Sequence, residues 1–214
     1  MLLDREYKVP SKINNRINLK VVPGHFATNH SHINFYMDMT TLKVRHSEAA
    51  EIAKEMANEY QYSKPIDTII CMDGCEIIGS CLAEELTKNG IMSLNRHQSL
   101  YVITPEFDSN GQMIFRDNLQ PMVRGKNVLL LLASATTGRT IARSLDCIQY
   151  YGGIVQGIAA IFSAAKEIHG HPVHCIFSAE DLPEYRTYSQ NECPLCQNKE
   201  KIDAIVNGFG YSEL

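Results

Sequence analysis

Apolar and polar positions along the chain follow a pattern that predicts helices and strands in alternation. Helices with one buried face are predicted where apolar residues recur three or four positions apart, over residues 47–60, 77–86 and 141–151. Buried strands are predicted by short apolar or β-branched runs, over residues 66–71, 128–132, 154–163 and 173–178. Strands joined by crossover helices are typical of a parallel α/β sheet flanked by helices.

Such a Rossmann-like sheet binds its ligands beyond the carboxyl ends of its strands. Two loops, residues 71–76 and 133–140, leave a predicted strand and enter a predicted helix at that edge. A further signal is the Asn-Gly pair at 110–111, which favours a tight turn between the extended segments 100–104 and 112–115. We therefore expect a β-hairpin there.

Changes in polarity divide the chain into three segments. Residues 1–45 begin mixed and polar and predict an N-terminal hood. Residues 46–180 carry the strand–helix alternation and form the predicted core domain. Residues 181–214 are predicted to be a C-terminal tail that contains a Cys-x-x-Cys pair.

The composition narrows the class of protein. The chain has 214 residues and a formal charge of −4, without the basic excess usual in proteins that only hold duplex nucleic acid. The cations of residues 1–24 lie in a segment too short for a winged helix, so a nucleic-acid partner is not expected. The opening residues lack the pattern of a secretory signal, and no apolar run is long enough to span a bilayer. Seven cysteines then predict a cytoplasmic protein with mostly free thiols.

The second of the two loops contains the sequence Thr-Thr-Gly-Arg-Thr. Gly138 permits a tight turn or a close backbone approach. The amides at a helix start, together with the hydroxyls of Thr136, Thr137 and Thr140, favour an anion such as phosphate. Arg139 adds a positive charge. A threonine-capped turn without a ligand has the same sequence, so the loop alone leaves both interpretations open.

In its context this loop resembles the phosphoribosyl-pyrophosphate loop of type I phosphoribosyltransferases, which cradles the 5′-phosphate of the sugar. Three further segments resemble the orotate phosphoribosyltransferases of that family: residues 25–40, 66–86 and 124–128. Together the matches cover most of residues 25–165 in order. The resemblance implies the family fold, with an N-terminal hood and a β-hairpin that forms a flexible loop.

The resemblance also implies a site and its ligands. The 5′-phosphate would lie at residues 136–140 and the ribose near Ala133 and Ser134. Pyrophosphate would face the loop formed by Met72, Asp73, Gly74 and Cys75. The implied ligands are phosphoribosyl pyrophosphate or a nucleoside 5′-monophosphate, an unidentified nucleobase and Mg²⁺. The implied assembly is a homodimer.

The sequence departs from the family at the ribose. Two adjacent acids, which hold the ribose hydroxyls in the family, are replaced by Leu132 and Ala133. Residues 118–145 contain no acid to replace them, and Ser134 offers one neutral hydroxyl. Two lost charge-assisted hydrogen bonds cost about 3–6 kcal/mol.

The flexible catalytic loop of the family carries a basic cluster that neutralises pyrophosphate. The corresponding residues 101–118 contain Arg116 as their single cation. Two hypotheses therefore stand. The chain is either a pentosyltransferase of the phosphoribosyltransferase type or a catalytically impaired regulatory or nucleotide-binding protein on the same fold. Whether it is an enzyme stays open at this point.

The Cys-x-x-Cys pair consists of Cys193 and Cys196. A structural zinc site needs four ligands, of which the pair supplies two. The candidates to complete it are His169, His171, His174 and Cys175. The alternative is a C-terminal knuckle with free thiols, and the large core predicts that chelation leaves the fold intact. Residues 30–32, His-Ser-His, are expected in an exposed polar loop.

Overall fold

The structure, a computed structural model, describes residues 2–88, 94–95, 99–109, 111–136 and 138–214. The helices are α1 Thr40–Val44, α2 His46–Tyr60, α3 Glu76–Thr87, α4 Arg139–Tyr150 and α5 Pro194–Gln197. The strands are β1 Tyr7–Pro10, β2 Asn18–Ala27, β3 His32–Asp38, β4 Thr68–Cys71, β5 Tyr101–Ile103, β6 Glu106–Phe107, β7 Met113–Ile114, β8 Asn127–Ala135, β9 Ile154–Ser163, β10 Glu167–Ile168, β11 His171–Ser178, β12 Thr187–Tyr188, β13 Ala204–Asn207 and β14 Gly210–Glu213. Among the described helices, none is both long and apolar enough to cross a membrane.

The core sheet has the strand order β10-β11-β9-β8-β4-β5. The strands from β11 to β5 pair in parallel, and β10 is antiparallel to β11. The prediction of a parallel α/β sheet is therefore confirmed. Because β4 and β8 are neighbours, the two strand-to-helix loops predicted from the sequence meet at one edge of the sheet.

The apolar run in β8 is explained by burial on both faces of the sheet. Leu129 and Leu131 pack with α2 and α3, whereas Leu130 and Leu132 pack with α4 on the opposite face. Side chains alternate across a strand, so a strand covered on both faces carries apolar residues at successive positions, here 128–133. The predicted helices lie on these two faces, with α2 presenting Ala49, Ile52, Ala53, Met56, Ala57 and Tyr60 to the core.

A second sheet contains strands from both ends of the chain. The sequence pattern predicts these ends, residues 1–45 and 181–214, as a separate hood and tail. The order of this sheet is β12-β3-β2-β13-β14, and β1 pairs with the first residues of β2, 18–21. The decisive pairing is parallel, with Ala204 of β13 opposite Phe26 of β2. β13 has only four residues and lies far from β2 in sequence, so no local pattern indicates their pairing. We refer to this second sheet as the hood sheet.

The predicted hairpin differs in its strands. Residues 101–103 join the core sheet beside β4 instead of pairing with the following segment. The hairpin forms between β6 and β7, with Glu106 opposite Ile114 and Phe107 opposite Met113. Gly111 has a φ of 73°, as a tight turn requires, and Asn110 lies outside the described residues. The Asn-Gly pair therefore predicts the position of the turn correctly, whereas the predicted bounds of the two strands, 100–104 and 112–115, are wrong.

Candidate functional site at the carboxyl ends of β4 and β8

A cavity of about 320 Å³ lies where β4 and β8 end, between the core sheet and the hood sheet. Met72 and Asp73 line it from the loop after β4. Residues 132–134 and Thr136 line it from the end of β8. The two loops that the sequence singles out therefore share one cavity.

The start of α4 forms one end of this cavity. Gly138 has a φ of 70° and a ψ of −13°, the left-handed conformation, and it caps the helix that begins at Arg139. Ile141 and Ser144, one turn further on, also line the cavity. The first amides of a helix have no partner within the helix, so they favour an anion here. The backbones of Arg139 and Thr140 form the first turn, while their side chains and all of Thr137 lie outside the described residues.

The loop after β4 has an unusual backbone. Asp73 has a φ of 55° and Gly74 a φ of 78°, so two successive residues are left-handed. Positive φ in a residue other than glycine is uncommon and is often found at binding sites. Met72 lines the cavity, whereas the Cys75 side chain is fully buried in the core, where burial raises the pKa of its thiol. Cys75 is therefore a packing residue.

The Asp73 carboxylate lies close enough to the backbone amide of Ala133, at the end of β8, for that amide to lower its pKa. Burial raises the pKa of Asp73, and the Ala133 amide and the nearby Lys43 ammonium oppose that increase. Asp73 thus places a carboxylate beside Ala133, one of the two positions at which the resemblance to phosphoribosyltransferases implies an acid.

Lys43 is a buried cation in the cavity wall that the sequence analysis did not identify. Its Nζ donates to the backbone oxygens of Asp73, at 2.8 Å, and of Gly208 in the β13–β14 turn. The ammonium group therefore joins α1, the loop after β4 and the C-terminal hairpin. A single lysine on a five-residue helix has no sequence signal that would mark it.

Comparison with known proteins gives this arrangement a family context. No protein-family model matches the sequence. An orotate phosphoribosyltransferase of Desulforamulus reducens is 25% identical over 182 residues, which cover 82% of this chain and 84% of that protein. The orotate phosphoribosyltransferase of Aeropyrum pernix superposes with a TM-score of 0.52 at 17% identity, covering 77% of this chain and 90% of that one. The Mycobacterium tuberculosis enzyme, in a complex with 5-phospho-α-D-ribosyl 1-diphosphate, has a TM-score of 0.50 at 17% identity, covering 69% and 82%.

The chain has a type I phosphoribosyltransferase fold. The resemblance that the sequence indicates to this family, on the orotate side, is confirmed.

Within this phosphoribosyltransferase fold, the two apolar replacements face opposite sides of the sheet. Leu132 packs with the α4 side of the core, and Ala133 packs with the α2 side. Both also border the cavity, and each is only 3% exposed. Ser134, which is half-buried, supplies the hydroxyl that borders the same wall.

Arg116, the single cation of the predicted flexible loop, is already paired. Its Nε and Nη2 donate to Oε2 of Glu106 at 2.9 and 2.7 Å. The ion pair joins the strand before the turn to the segment after it. It leaves the loop with no unpaired cation within its described residues, 101–109 and 111–118.

The hood sheet supplies the remaining wall of the cavity. Residues 28–31 connect β2 to β3 there, and Tyr36 of β3 lies beside them. The turn between β13 and β14 adds Phe209, whose side chain is 81% exposed. Asn207 Oδ1 accepts hydrogen bonds from the amides of Phe209 and Gly210, which fixes this turn. An aromatic group at the cavity edge was not predicted from the sequence.

The Cys-x-x-Cys pair lies in the hood region, beside histidines that the sequence analysis did not assign to it. Cys193 and Cys196 approach His25 and His32. His32 is 7% exposed and begins β3, so the expectation of an exposed loop is wrong for this residue. His174 lies instead on β11 of the core sheet, 3.4 Å from a Glu59 carboxylate oxygen.

Proposed function

We propose that this protein binds a 5-phosphoribosyl compound, either phosphoribosyl pyrophosphate or a nucleoside 5′-monophosphate, in the cavity between its two sheets. The observation that carries the proposal is the start of α4, which Gly138 caps in a left-handed conformation, beside a cavity that Thr136, Ile141 and the loop after β4 line. A helix start of this kind offers several amide donors to a phosphate. The phosphoribosyltransferase fold supports the same assignment.

The other end of the ligand would extend toward the hood sheet. A ribose held by its phosphate at α4 lies beside Ser134, and its base points toward the wall that contains residues 28–31 and Phe209. The exposed aromatic ring suits the face of a planar base. Lys43 stabilises this arrangement by holding the loop and the hairpin at a fixed separation.

We infer further that binding is stronger than turnover. Phosphoribosyl transfer depends on alignment of the anomeric carbon and on stabilisation of charge. Leu132 and Ala133 give the ribose hydroxyls no charged acceptor, and Arg116 is already neutralised by Glu106. These observations favour a regulatory or nucleotide-binding protein over an efficient pentosyltransferase.

A resident Mg²⁺ ion fits this site poorly. Among the described residues that line the cavity, Asp73 is the one carboxylate, and it lies next to the Lys43 ammonium. Mg²⁺ is usually held by one or two carboxylates together with substrate phosphates. We therefore expect Mg²⁺ to enter, if at all, with a pyrophosphate group.

The test is calorimetric titration with phosphoribosyl pyrophosphate, with and without Mg²⁺, and with uridine 5′-monophosphate against uridine. We expect binding of both phosphorylated compounds and none of uridine, because the phosphate provides the main contact. Pyrophosphate release is then measured with a panel of nucleobases. Equal affinity for uridine and its monophosphate contradicts the phosphate site. Rapid release with any base contradicts the impaired site and identifies an ordinary enzyme.

A further inference from the structure

We propose that His25, His32, Cys193 and Cys196 form a structural zinc site that fastens the two ends of the chain together. The four side chains each offer one ligand atom, and these atoms all lie within 4.8 Å of one another. Two thiolates and two imidazoles are a ligand set that zinc binds in structural sites. This site lies apart from the residues proposed to hold the phosphoribosyl group.

The separations between the ligand atoms fit a tetrahedral ion. His25 Nε2 lies 3.0 Å from His32 Nδ1, 3.5 Å from Cys193 Sγ and 3.6 Å from Cys196 Sγ. Cys196 Sγ lies 3.2 Å from His32 Nδ1. Zinc at its usual bond lengths gives tetrahedral edges of about 3.4 Å between two nitrogens and about 3.6 Å between nitrogen and sulfur. Four of the six separations therefore lie within about 0.4 Å of the tetrahedral edges, and the other two are no longer than 4.8 Å.

The surroundings of His25 hold its ring in the orientation that a metal needs. Its other ring nitrogen, Nδ1, donates to the backbone oxygen of Glu200 at 3.0 Å, which leaves the Nε2 lone pair directed at the cluster. Its backbone amide donates to Asp203 at 2.8 Å, and Arg5 pairs with the same carboxylate. Metal-bound histidines commonly have a second-nitrogen contact of this type.

The two cysteines have the geometry of a metal-binding knuckle. Cys193 precedes α5 and is 1% exposed, while Cys196 lies within that single helical turn. Both are free thiols in the structure, and the turn brings them to the same side of the two histidines. Among the described residues, the two sulfur atoms make their polar contacts with these histidines, so the four side chains indicate a metal ligand set rather than ordinary packing.

The site has a consequence for the cavity. His25 and His32 lie on either side of residues 28–31, which form part of the cavity wall. The cysteines lie between β12 and β13, which pair with β3 and β2. An ion bound by these four side chains therefore holds residues 28–31 of the cavity wall close to the C-terminal segment between β12 and β13.

The experiment measures metal content in the full chain purified without chelators. We expect about one zinc ion per chain in the wild type and background levels in Cys193→Ser and Cys196→Ser. Cys81→Ser and His174→Gln are the matched controls, since these residues lie outside the cluster, and we expect both to retain zinc. Zinc retained by both cluster variants, or lost equally by the controls, overturns the site.

A second measurement does not depend on folding of the variants. Wild-type protein is stripped of metal and reloaded with Co²⁺, whose visible spectrum reports thiolate ligands and tetrahedral geometry. We expect both signatures, together with release of one zinc ion when the thiols of native protein are modified. Absence of zinc and cobalt binding, or a Cys193–Cys196 disulfide in protein freshly prepared without an oxidant, overturns the proposal.

Discussion

At the scale of single residues, the wall beside the predicted ribose position is the clearest departure from the family. Ala133→Asp is expected to raise the affinity for phosphoribosyl pyrophosphate roughly tenfold or more, since a charge-assisted hydrogen bond contributes about 1.5–3 kcal/mol. The new carboxylate would lie beside Asp73, so the gain should appear mainly with Mg²⁺ present. Titration with and without Mg²⁺ measures it.

Leu132→Glu is the contrasting change at the adjacent position. Because Leu132 packs into the core on the α4 side, a carboxylate there is buried without a partner and should lower the free energy of unfolding by several kcal/mol. Urea denaturation measures this loss. A stable Leu132→Glu variant, or an Ala133→Asp variant with unchanged affinity, would contradict our assignment of the two faces.

Gly138→Val tests the phosphate site. Its left-handed backbone strains any β-branched residue, and the added Cβ would lie 3.7 Å from the Ile168 side chain, so the first turn of α4 should shift. We expect the binding of uridine 5′-monophosphate to be lost while the fold remains, as judged by calorimetry and circular dichroism. Gly125→Val is the matched control. Gly125 has a similar φ of 69°, but it precedes β8 at the opposite edge of the sheet. The affinity of Gly125→Val for uridine 5′-monophosphate should therefore equal that of the wild type.

Asp73 gives stability a dependence on pH. Because its pKa is raised, the folded chain keeps a proton at Asp73 that the unfolded chain has lost above the ordinary value of 3.8, so the contribution of Asp73 to the free energy of unfolding falls as pH rises through that interval. Asp73→Asn removes the titrating carboxyl and with it this decrease in stability, and asparagine tolerates the left-handed backbone at this position. The unfolding free energy of the variant should therefore increase relative to wild type with rising pH.

Urea denaturation over this pH range checks the Asp73 prediction, with Asp146→Asn on the exposed side of α4 as the charge control. If the difference between Asp73→Asn and wild type is independent of pH, the carboxylate is not held in a desolvated position.

At the scale of elements, the β13–β14 hairpin places an exposed aromatic ring at the cavity edge. Phe209→Ala is expected to weaken the binding of uridine 5′-monophosphate by about 1–3 kcal/mol, the usual contribution of a stacked base. The binding of ribose 5-phosphate, which has no base, should not change. Tyr150→Ala removes a ring of similar exposure on α4 and should change neither affinity. Equal losses for both ligands in Phe209→Ala would show that the hairpin supports the fold instead of contacting the base.

Elements with local signals were predictable, and those formed by distant partners were not. Periodicity and the Thr-Thr-Gly loop identified β4, β8, α4 and the edge of the sheet at which they meet. Nothing local indicates that β13 pairs with β2, because a four-residue strand carries little pattern of its own. The same reason applies to His25 and His32, whose closeness to Cys193 and Cys196 follows from that pairing.

At the scale of the whole molecule, the two hydrophobic clusters determine how the protein responds to chelation. One cluster packs α2 and α3 on the core sheet and extends into the hood sheet, and the other lies between the core sheet and α4, so both faces of the core sheet stay buried without an ion at the hood. We expect removal of zinc to leave the fold intact, as the sequence predicts, and to speed amide exchange in β2, β3, β13 and α5. Exchange in β4, β8 and β9 should remain slow in the same hydrogen-exchange experiment. Global unfolding would contradict this division, and unchanged exchange in the hood would contradict the fastening role.

The pairing of β13 with β2 also sets an order of events during synthesis. The His25 amide and the Asp203 carboxylate that it contacts are 178 residues apart. The strands of the core sheet are all made before residue 204, so they can pair while the end of β2 that β13 later covers, at Phe26 and Ala27, is still open. An uncovered strand edge is a site of mistaken pairing with other chains. The nascent protein therefore carries an open cavity and an exposed strand edge until β13 has been synthesised.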